Sequence, residues 1–384
     1  MSNEYLKRIN RELEKNLIGF FKEFHKNPEL SNEEFETTKR IRELLELADI
    51  EVLKLPLKTG LVAIIRGRKA GKTVALRADI DGLPMDEWTS LDYKSIRDGK
   101  AHSCGHDFHF TSLIGAAYLL KENEELLSGN IKLIFQAAEE TGHGAEAIIK
   151  TEVLDDVEVI FGLHNTSELD VGTVASSYGP VTAAVDRFEI NIRGIGSHAA
   201  SPEKAKDPII VAANLISSIQ TIISRNISPL DRALISVTHI KSGNTWNVIP
   251  TKSYMEGTVR TLNPRVREHI YNRLIELTSG ISKSYGVHVE LEWHKGPPAT
   301  DNDEKYTDFI LDIADNIGYK VVNMEAGMGG EDFAYYQERI KGSFVFIGTG
   351  KSHPHHHPKF EADLNAIIGS ARYLYEIGKQ ASEE

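Results

Sequence analysis

Cys104 and His106 stand two positions apart with Gly105 between them, inside the run His102-Ser103-Cys104-Gly105-His106-Asp107-Phe108-His109. A thiolate and an imidazole converging at that spacing suit a borderline-soft divalent metal, and the glycine permits a tight backbone. A lone Cys-x-His is more often a buried cysteine beside surface histidines, so the reading rests on three further clusters. Glu139-Glu140 follows the apolar run 131–136, where open α/β sheets place their sites, after a strand's carboxyl end. Adjacent carboxylates can divide the labour there, one binding a metal and the other taking a proton from metal-bound water. His164 follows just after the apolar run 157–162, and His353, His355, His356 and His357 crowd one segment ahead of a predicted helix. Together the donors are S, N, O, N and N, enough for one or two transition-metal ions and a water. Asp79, Asp81 and Asp107 are expected to orient the ligands. Glu146 and Asp155-Asp156 lack such a context and read as solvated surface.

Regular elements must hold these groups in place. Leu6, Ile9, Leu13, Leu17, Phe20, Phe21 and Phe24 recur at mixed three- and four-residue spacing, predicting a helix over 4–25 that Pro28 ends. Ser31 with Glu34 is a capping-box pattern, predicting a second helix to about 47. Two β-rich runs, 61–66 and 73–78, flank the turn-forming Lys69-Ala70-Gly71. Strands at 131–136 and 157–162, alternating with helical segments at 111–120 and 145–150, predict an α/β fold with a mostly parallel sheet. After about 183 the pattern changes to strand 185–193, helix 207–226, strands 233–241 and 253–262, helix 264–285 and strand 287–293. That order is β-α-β-β-α-β, a ferredoxin-like unit. Beyond Pro297-Pro298 the α/β pattern resumes with helix 304–317, strand 319–323, helix 331–339, strand 343–347 and a last helix from 363. The expectation is a discontinuous catalytic domain, 1–182 and 295–384, carrying an inserted domain at 183–294.

Composition narrows the class. The 384 residues are about two domains' worth, and 41% hydrophobic with 26% charged excludes collagenous, low-complexity and mostly disordered chains. A single cysteine cannot form an internal disulfide, which excludes a secreted disulfide scaffold. The first residues are polar and carry no signal-peptide core, and no apolar run approaches the roughly 20 residues that span a bilayer. A net charge of −12 opposes a phosphate-binding surface. The expectation is a cytoplasmic protein without nucleic-acid or membrane partners.

Longer motifs carry a resemblance. Arg77-Ala-Asp79-Ile-Asp81-Gly-Leu-Pro84, the run 104–109, Gln136-Ala-Ala-Glu139-Glu140, Gly196-Ser-His198-Ala-Ala-Ser-Pro202, Asn247-Val-Ile-Pro250, Glu256-Gly-Thr-Val-Arg260-Thr, Gly330-Glu331-Asp332-Phe333 and His356-His-Pro358-Lys-Phe360 are similar, in order, to the metal-dependent amidohydrolases. That family includes aminoacylases, hippurate hydrolases, auxin-conjugate hydrolases and N-acetyldiaminopimelate deacetylases, and the bacterial N-acyl-amino-acid amidohydrolases are nearest in pattern. The resemblance implies an α/β catalytic domain, an inserted lid or dimerisation domain, and two divalent ions (Mn²⁺, Zn²⁺, Co²⁺ or Ni²⁺). It implies the ligands Cys104, His106, Glu140, His164 and His356, the last chosen because the family pattern is His-x-Pro-x-Phe. Glu139 matches the general base, and Asp81 and His198 fall with it among the catalytic residues. Asn247, Arg260 and Gly330 match substrate-binding positions. A homodimer through the inserted domain, or a tetramer, is implied too, with His198 able to serve a neighbouring subunit. Ala137, Ser197 and Ala362-Asp363-Leu364 depart from the usual pattern without removing a ligand.

The implied reaction is hydrolysis of an N-acyl amino acid to a carboxylate and a free amino acid. Dipeptidase or carboxypeptidase action could use the same residues. A cysteine hydrolase built on Cys104 and a non-catalytic metal- or small-molecule-binding protein are the other readings.

Overall fold

The computed structural model describes residues 3–383, with side chains from residue 11 onward. Leu6 and Ile9 of the first predicted helix therefore lie outside the described side chains. The chain divides into two compact units, Met1–Val181 with Asp301–Glu325 and Asp332–Glu384, and Thr182–Thr300 with Ala326–Glu331. The sequence boundaries of 183 and 294 stand beside a second unit that also takes in 326–331.

The first unit is built on an eight-stranded sheet. Its order is Glu51–Val52, Leu61–Arg66, Ser128–Gln136, Lys69–Asp79, Val159–Thr166, Lys341–Gly348, Thr173–Ser176 and Lys320–Asn323. The central strands Ser128–Gln136, Lys69–Asp79, Val159–Thr166 and Lys341–Gly348 run parallel. Apolar side chains alternate to both faces, as they must when both are covered. Leu61, Leu76, Leu133 and Phe161 pack with the helices Asn3–His25, Phe35–Leu47, His106–Glu122, Glu304–Asn316 and Ala366–Glu383. Val62, Ala75, Ile134 and Ile160 pack on the other face, against Ala145, Ile148, Phe333 and Tyr336.

The runs at 61–66 and 73–78 are not neighbours, because Ser128–Gln136 lies between them. Lys69-Ala70-Gly71 is no turn either. It belongs to the strand Lys69–Asp79, whose register shifts between Lys69 and Thr73. The helix predicted over 331–339 shortens to Ala334–Gln337, since Asp332 is committed to the sheet's carboxyl edge. The capping box also fails: the helix Phe35–Leu47 has no side-chain cap, and Ser31 and Glu34 bond elsewhere.

Asp107 turns away from the predicted ligands. Its carboxylate accepts a hydrogen bond from His25 Nδ1 at 2.6 Å and from the Phe108 amide, while His25 Nε2 lies 3.3 Å from Glu87. His25 ends the first helix and Asp107 begins the helix His106–Glu122, so this pair joins their ends. Burial opposes a charge on His25, but the charges and hydrogen bonds of Asp107 and Glu87 outweigh it and raise its pKa to about 10.

The second unit is a four-stranded antiparallel sheet ordered Ala233–Ser242, Lys252–Thr261, Ala184–Arg193 and His288–Lys295. With helices Pro208–Thr221 and Pro264–Tyr285 it forms the ferredoxin-like arrangement. Asp207 and Asn263 cap those helices ahead of a proline at each first turn. Phe188, Ile190, Met255, Leu215, Ile219 and Leu274 fill its core. The segment Pro208–Asn226, with mean hydropathy 1.2, is long and apolar enough by length and composition to cross a membrane, unlike the sequence expectation. Its Val211, Leu215, Ile219 and Ile222 are spent on that core.

A raised histidine pKa stabilises the folded state fully below the unfolded value and is lost as pH climbs through the folded one. The unfolding free energy should therefore fall between about pH 6.5 and 10, at up to about 1.4 kcal/mol per pH unit. Urea denaturation across that range should show this slope in the wild type and a flatter one in His25→Asn.

Candidate active site

Three parallel strands deliver their carboxyl ends to one edge of the first unit's sheet. Lys69–Asp79 ends at Asp79 and leads to Asp81, and Ser128–Gln136 leads to Glu139 and Glu140. His164 is not after its strand but within Val159–Thr166, two residues from its end. Cys104 and His106 flank Gly105, which precedes the helix His106–Glu122 with φ +85°. A Cβ on Gly105 would lie 2.6 Å from the Asn165 amide, so only glycine lets the loop approach that strand.

The donors converge. Cys104 Sγ lies 3.5 Å from His164 Nε2, and His106 Nε2 lies 3.8 Å from Glu140 Oε1 and 4.0 Å from Glu139 Oε2. His356 Nε2 is 3.4 Å from Glu140 Oε1. Ligand atoms of Cys104, His106 and His164 lie within 4.8 Å of one another, and so do those of Cys104, Glu140 and His356.

Hydrogen bonds leave the right atoms open. His106 Nδ1 donates to Asp81 Oδ1 at 3.2 Å and His164 Nδ1 donates to the Asn165 carbonyl at 2.7 Å, so each Nε2 offers a lone pair. Among the described residues, His106 Nε2 and Glu140 Oε1 are buried without a hydrogen-bond partner. Buried polar atoms of that kind are costly unless something binds them, and an S, N and O donor set facing inward fits divalent metal. Burial pushes the Cys104 thiol well above its usual range, and burial with the neighbouring histidines holds His164 well below its own.

Two histidines of the sequence clusters to which no role was given, His109 and His355, lie beside the donors. His109 Nδ1 bonds Asp79 at 2.6 Å, and its Nε2 accepts the Asn165 amide at 2.9 Å. The ring of His355 packs edge-on to His164 at 4.9 Å.

Beneath the cluster lies a buried charge network, also unread beforehand. Arg77 is fully buried. Its guanidinium donates to Asp79 at 2.9 Å, Asp332 at 2.8 Å and Gln136 Oε1 at 2.9 Å. Gln136 and the Ala145 amide also donate to Asp332. The Asp332 amide in turn reaches Glu139 Oε1 at 3.4 Å. Burial lifts the Asp332 carboxyl to about 6 against the pull of Arg77.

His198, Asn247, Arg260 and Gly330 belong to the second unit. Ser197–His198 pairs with Val248–Ile249, and the Ala199 amide donates to the Asn247 carbonyl at 3.0 Å. His198 is exposed, and its Nδ1 accepts the Ala200 amide, so a neutral ring carries its proton on Nε2. Arg260 lies on Lys252–Thr261, and burial lowers its pKa against the opposing charge of Asp186. A Cβ on Gly330 would meet Val185 Cγ2 at 2.3 Å and the Arg260 guanidinium at 3.4 Å.

An α/β sheet with metal-type donors at its carboxyl edge, joined in one chain to a ferredoxin-like unit, is the architecture of a metallohydrolase. Residues 75–380 match the peptidase family M20/M25/M40, and the chain belongs to that family. It is 47% identical to an N-acetyl-L-cysteine deacetylase of Bacillus subtilis, over 96% of this chain and 88% of that protein. It is 39% identical to thermostable carboxypeptidase 1 of Saccharolobus solfataricus, over 95% of each. A crystal structure of a dinuclear metal-binding M20 peptidase from Bacillus subtilis superposes with a TM-score of 0.87 at 40% identity, covering 96% of this chain and 98% of that one. The protein is a metal-dependent amidohydrolase, and the site suits two divalent ions.

Removing one member of a buried ion network leaves the others uncompensated. Arg77→Met should cost about 3–5 kcal/mol of unfolding free energy, measurable by urea denaturation, and it should reduce metal content because Asp79 and Asp332 lose their anchor.

Proposed function

We propose that this chain hydrolyses the amide bond of N-acyl amino acids carrying small acyl groups, N-acetyl among them, with Glu139 as base and acid. The observation that carries the reading is Glu139 beside a set of donors whose innermost atoms, His106 Nε2 and Glu140 Oε1, have no hydrogen-bond partner among the described residues. Cys104, His106, Glu140, His164 and His356 would hold two ions of Zn²⁺, Mn²⁺, Co²⁺ or Ni²⁺. Such ions, when bound, supply Lewis acidity and bring the pKa of water to about 7. Glu139 takes the proton of the attacking water and returns it to the departing amine nitrogen. Asp81 holds His106 by its Nδ1–H and fixes the Glu139 and Glu140 amides, so base and ligand share one support.

In the second unit, His198 offers an Nε2–H for the oxygen that gains charge. Arg260 offers a guanidinium fork for the substrate carboxylate, with Asn247 beside His198 as a further polar contact. Gly330 keeps the Arg260 guanidinium uncrowded. Support for acyl amino acids over peptides comes from the Bacillus subtilis deacetylase, the more similar of the two curated relatives described above. The carboxypeptidase supports the second reading, cleavage of a C-terminal peptide bond. The inserted unit's exposed Ile209, Ile210, Ile240, Trp246 and Val248 support a homodimer through it.

Glu139→Gln should lower kcat by at least about 10²-fold while metal content, read by elemental analysis, stays at the wild-type level. Substantial residual turnover would remove Glu139 from the role. Chelation should abolish activity and Mn²⁺ or Zn²⁺ should restore it, whereas thiol chemistry at Cys104 would survive chelation. A panel of N-acetyl amino acids, hippurate and dipeptides, with the released amine quantified, should show the N-acetyl substrates fastest. Faster release from dipeptides would favour the peptidase reading.

A further inference from the structure

Ser31 and Glu34 carry the pattern of a helix cap and cap nothing. Glu34 is completely buried. Its Oε2 accepts the Thr59 hydroxyl at 2.7 Å, and its Oε1 accepts the Ala138 amide at 2.8 Å. The next two amides, of Glu139 and Glu140, go to Asp81 Oδ1 at 3.2 Å and Oδ2 at 3.1 Å. Ser31 donates its hydroxyl to that same Oδ2 at 2.6 Å. Three consecutive amides are thus gripped by two buried carboxylates, a concave run of N–H groups of the kind that binds anions.

Ala138 adopts φ +58°, a left-handed conformation that is unfavourable for an L-residue. That conformation turns the chain so that Glu139 and Glu140, the next two residues, follow on from it. Something must hold the turn against its own preference. Burial raises the Glu34 pKa, the neighbouring Asp81 adds to that, and the Thr59 and Ala138 hydrogen bonds oppose it.

We propose that Glu34 is a positioning residue for catalysis: it holds Ala138 in the left-handed turn that aims the Glu139 and Glu140 carboxylates. The segment 28–34, far from the donors in sequence, is thereby part of the hydrolytic apparatus. The assignment rests on the Glu139 role proposed above, and one of its readouts is independent of activity.

Four proteins test it: wild type, Glu34→Ala, Glu34→Gln and the double variant Glu34→Ala/Ala138→Gly. Glu34→Ala should lower kcat about 10²-fold on an N-acetyl amino acid, the scale of a 1 Å misplacement, with KM within about threefold. Glu34→Gln retains an acceptor oxygen and should fall far less. Glycine takes positive φ without penalty, so adding Ala138→Gly should recover about tenfold of the loss. A packing defect would not be recovered by removing a methyl group. Hydrogen–deuterium exchange of a peptide spanning 136–142 should rise in Glu34→Ala while the strand Leu61–Arg66 stays protected. Unchanged exchange at 136–142, or a folded Glu34→Ala whose lost kcat glycine does not recover at all, would overturn the proposal. If Glu34→Ala does not fold, Thr59→Ala takes its place, since it removes the hydroxyl that steadies the Glu34 carboxylate without emptying its pocket. Raised exchange with lower kcat then supports the assignment, and wild-type values of both overturn it. Wild-type protein inactive on every acyl amino acid would defeat the function reading and leave the exchange result standing.

Discussion

A fully buried arginine is the constraint on which the catalytic unit depends. Arg77 sits inside the sheet with no access to water, so its charge is tolerable only while Asp79 and Asp332 remain against it. That requirement joins two strand neighbours and a segment 255 positions away. It also reaches the proposed base, because the Asp332 amide touches Glu139. Gln136, register partner of Asp79, accepts from Arg77 and donates to Asp332. Geometry at the sheet's carboxyl edge is therefore tied to charge balance beneath it.

Carboxylates outnumber fixed cations around the donors. Asp79, Asp81, Glu139 and Glu140 face His106 within 4.0 Å, and Arg77 is the guanidinium among them, shared with Asp332. Net negative charge gathered in a low-dielectric place is unfavourable by itself and favourable for divalent cations. The His25–Asp107–Glu87 group, next to His106 in the chain, is closed by its own protonated histidine. The two clusters share one run of sequence yet answer their charge in different ways, one within the protein and one by inviting ions.

What could be read from the sequence was what is local. Cys104, His106, Glu139, Glu140 and His164 reveal themselves through short spacing and apolar runs beside them, and the ferredoxin-like order follows from periodicity. His356 could be picked from its neighbours only through a longer pattern. Arg77, Gln136 and Asp332 act on one another through pairings that no window along the chain contains. Ser31 and Glu34 misled for a related reason. Their spacing satisfies a helix cap, but partners across the fold, the Asp81 carboxylate for Ser31 and the Thr59 hydroxyl and Ala138 amide for Glu34, take them instead. Asp107 misled because adjacency to His106 in sequence does not fix which way a helical side chain points.

His356 shares the left-handed backbone of Ala138, at φ +62°, and its amide is held by the Ser103 carbonyl at 2.8 Å. The proposed fifth ligand is thus clasped to the loop carrying Cys104, across some two-thirds of the chain. During synthesis, Cys104, His106, Glu140 and His164 emerge long before Asp332 and His356. The intervening second unit has its own core and can fold while the first waits. A nascent chain therefore carries most of the converging donors before it has the second counter-charge for Arg77, Asp332, or the last imidazole. The charge network and the full set of donors therefore close only after the last part of the chain has been made.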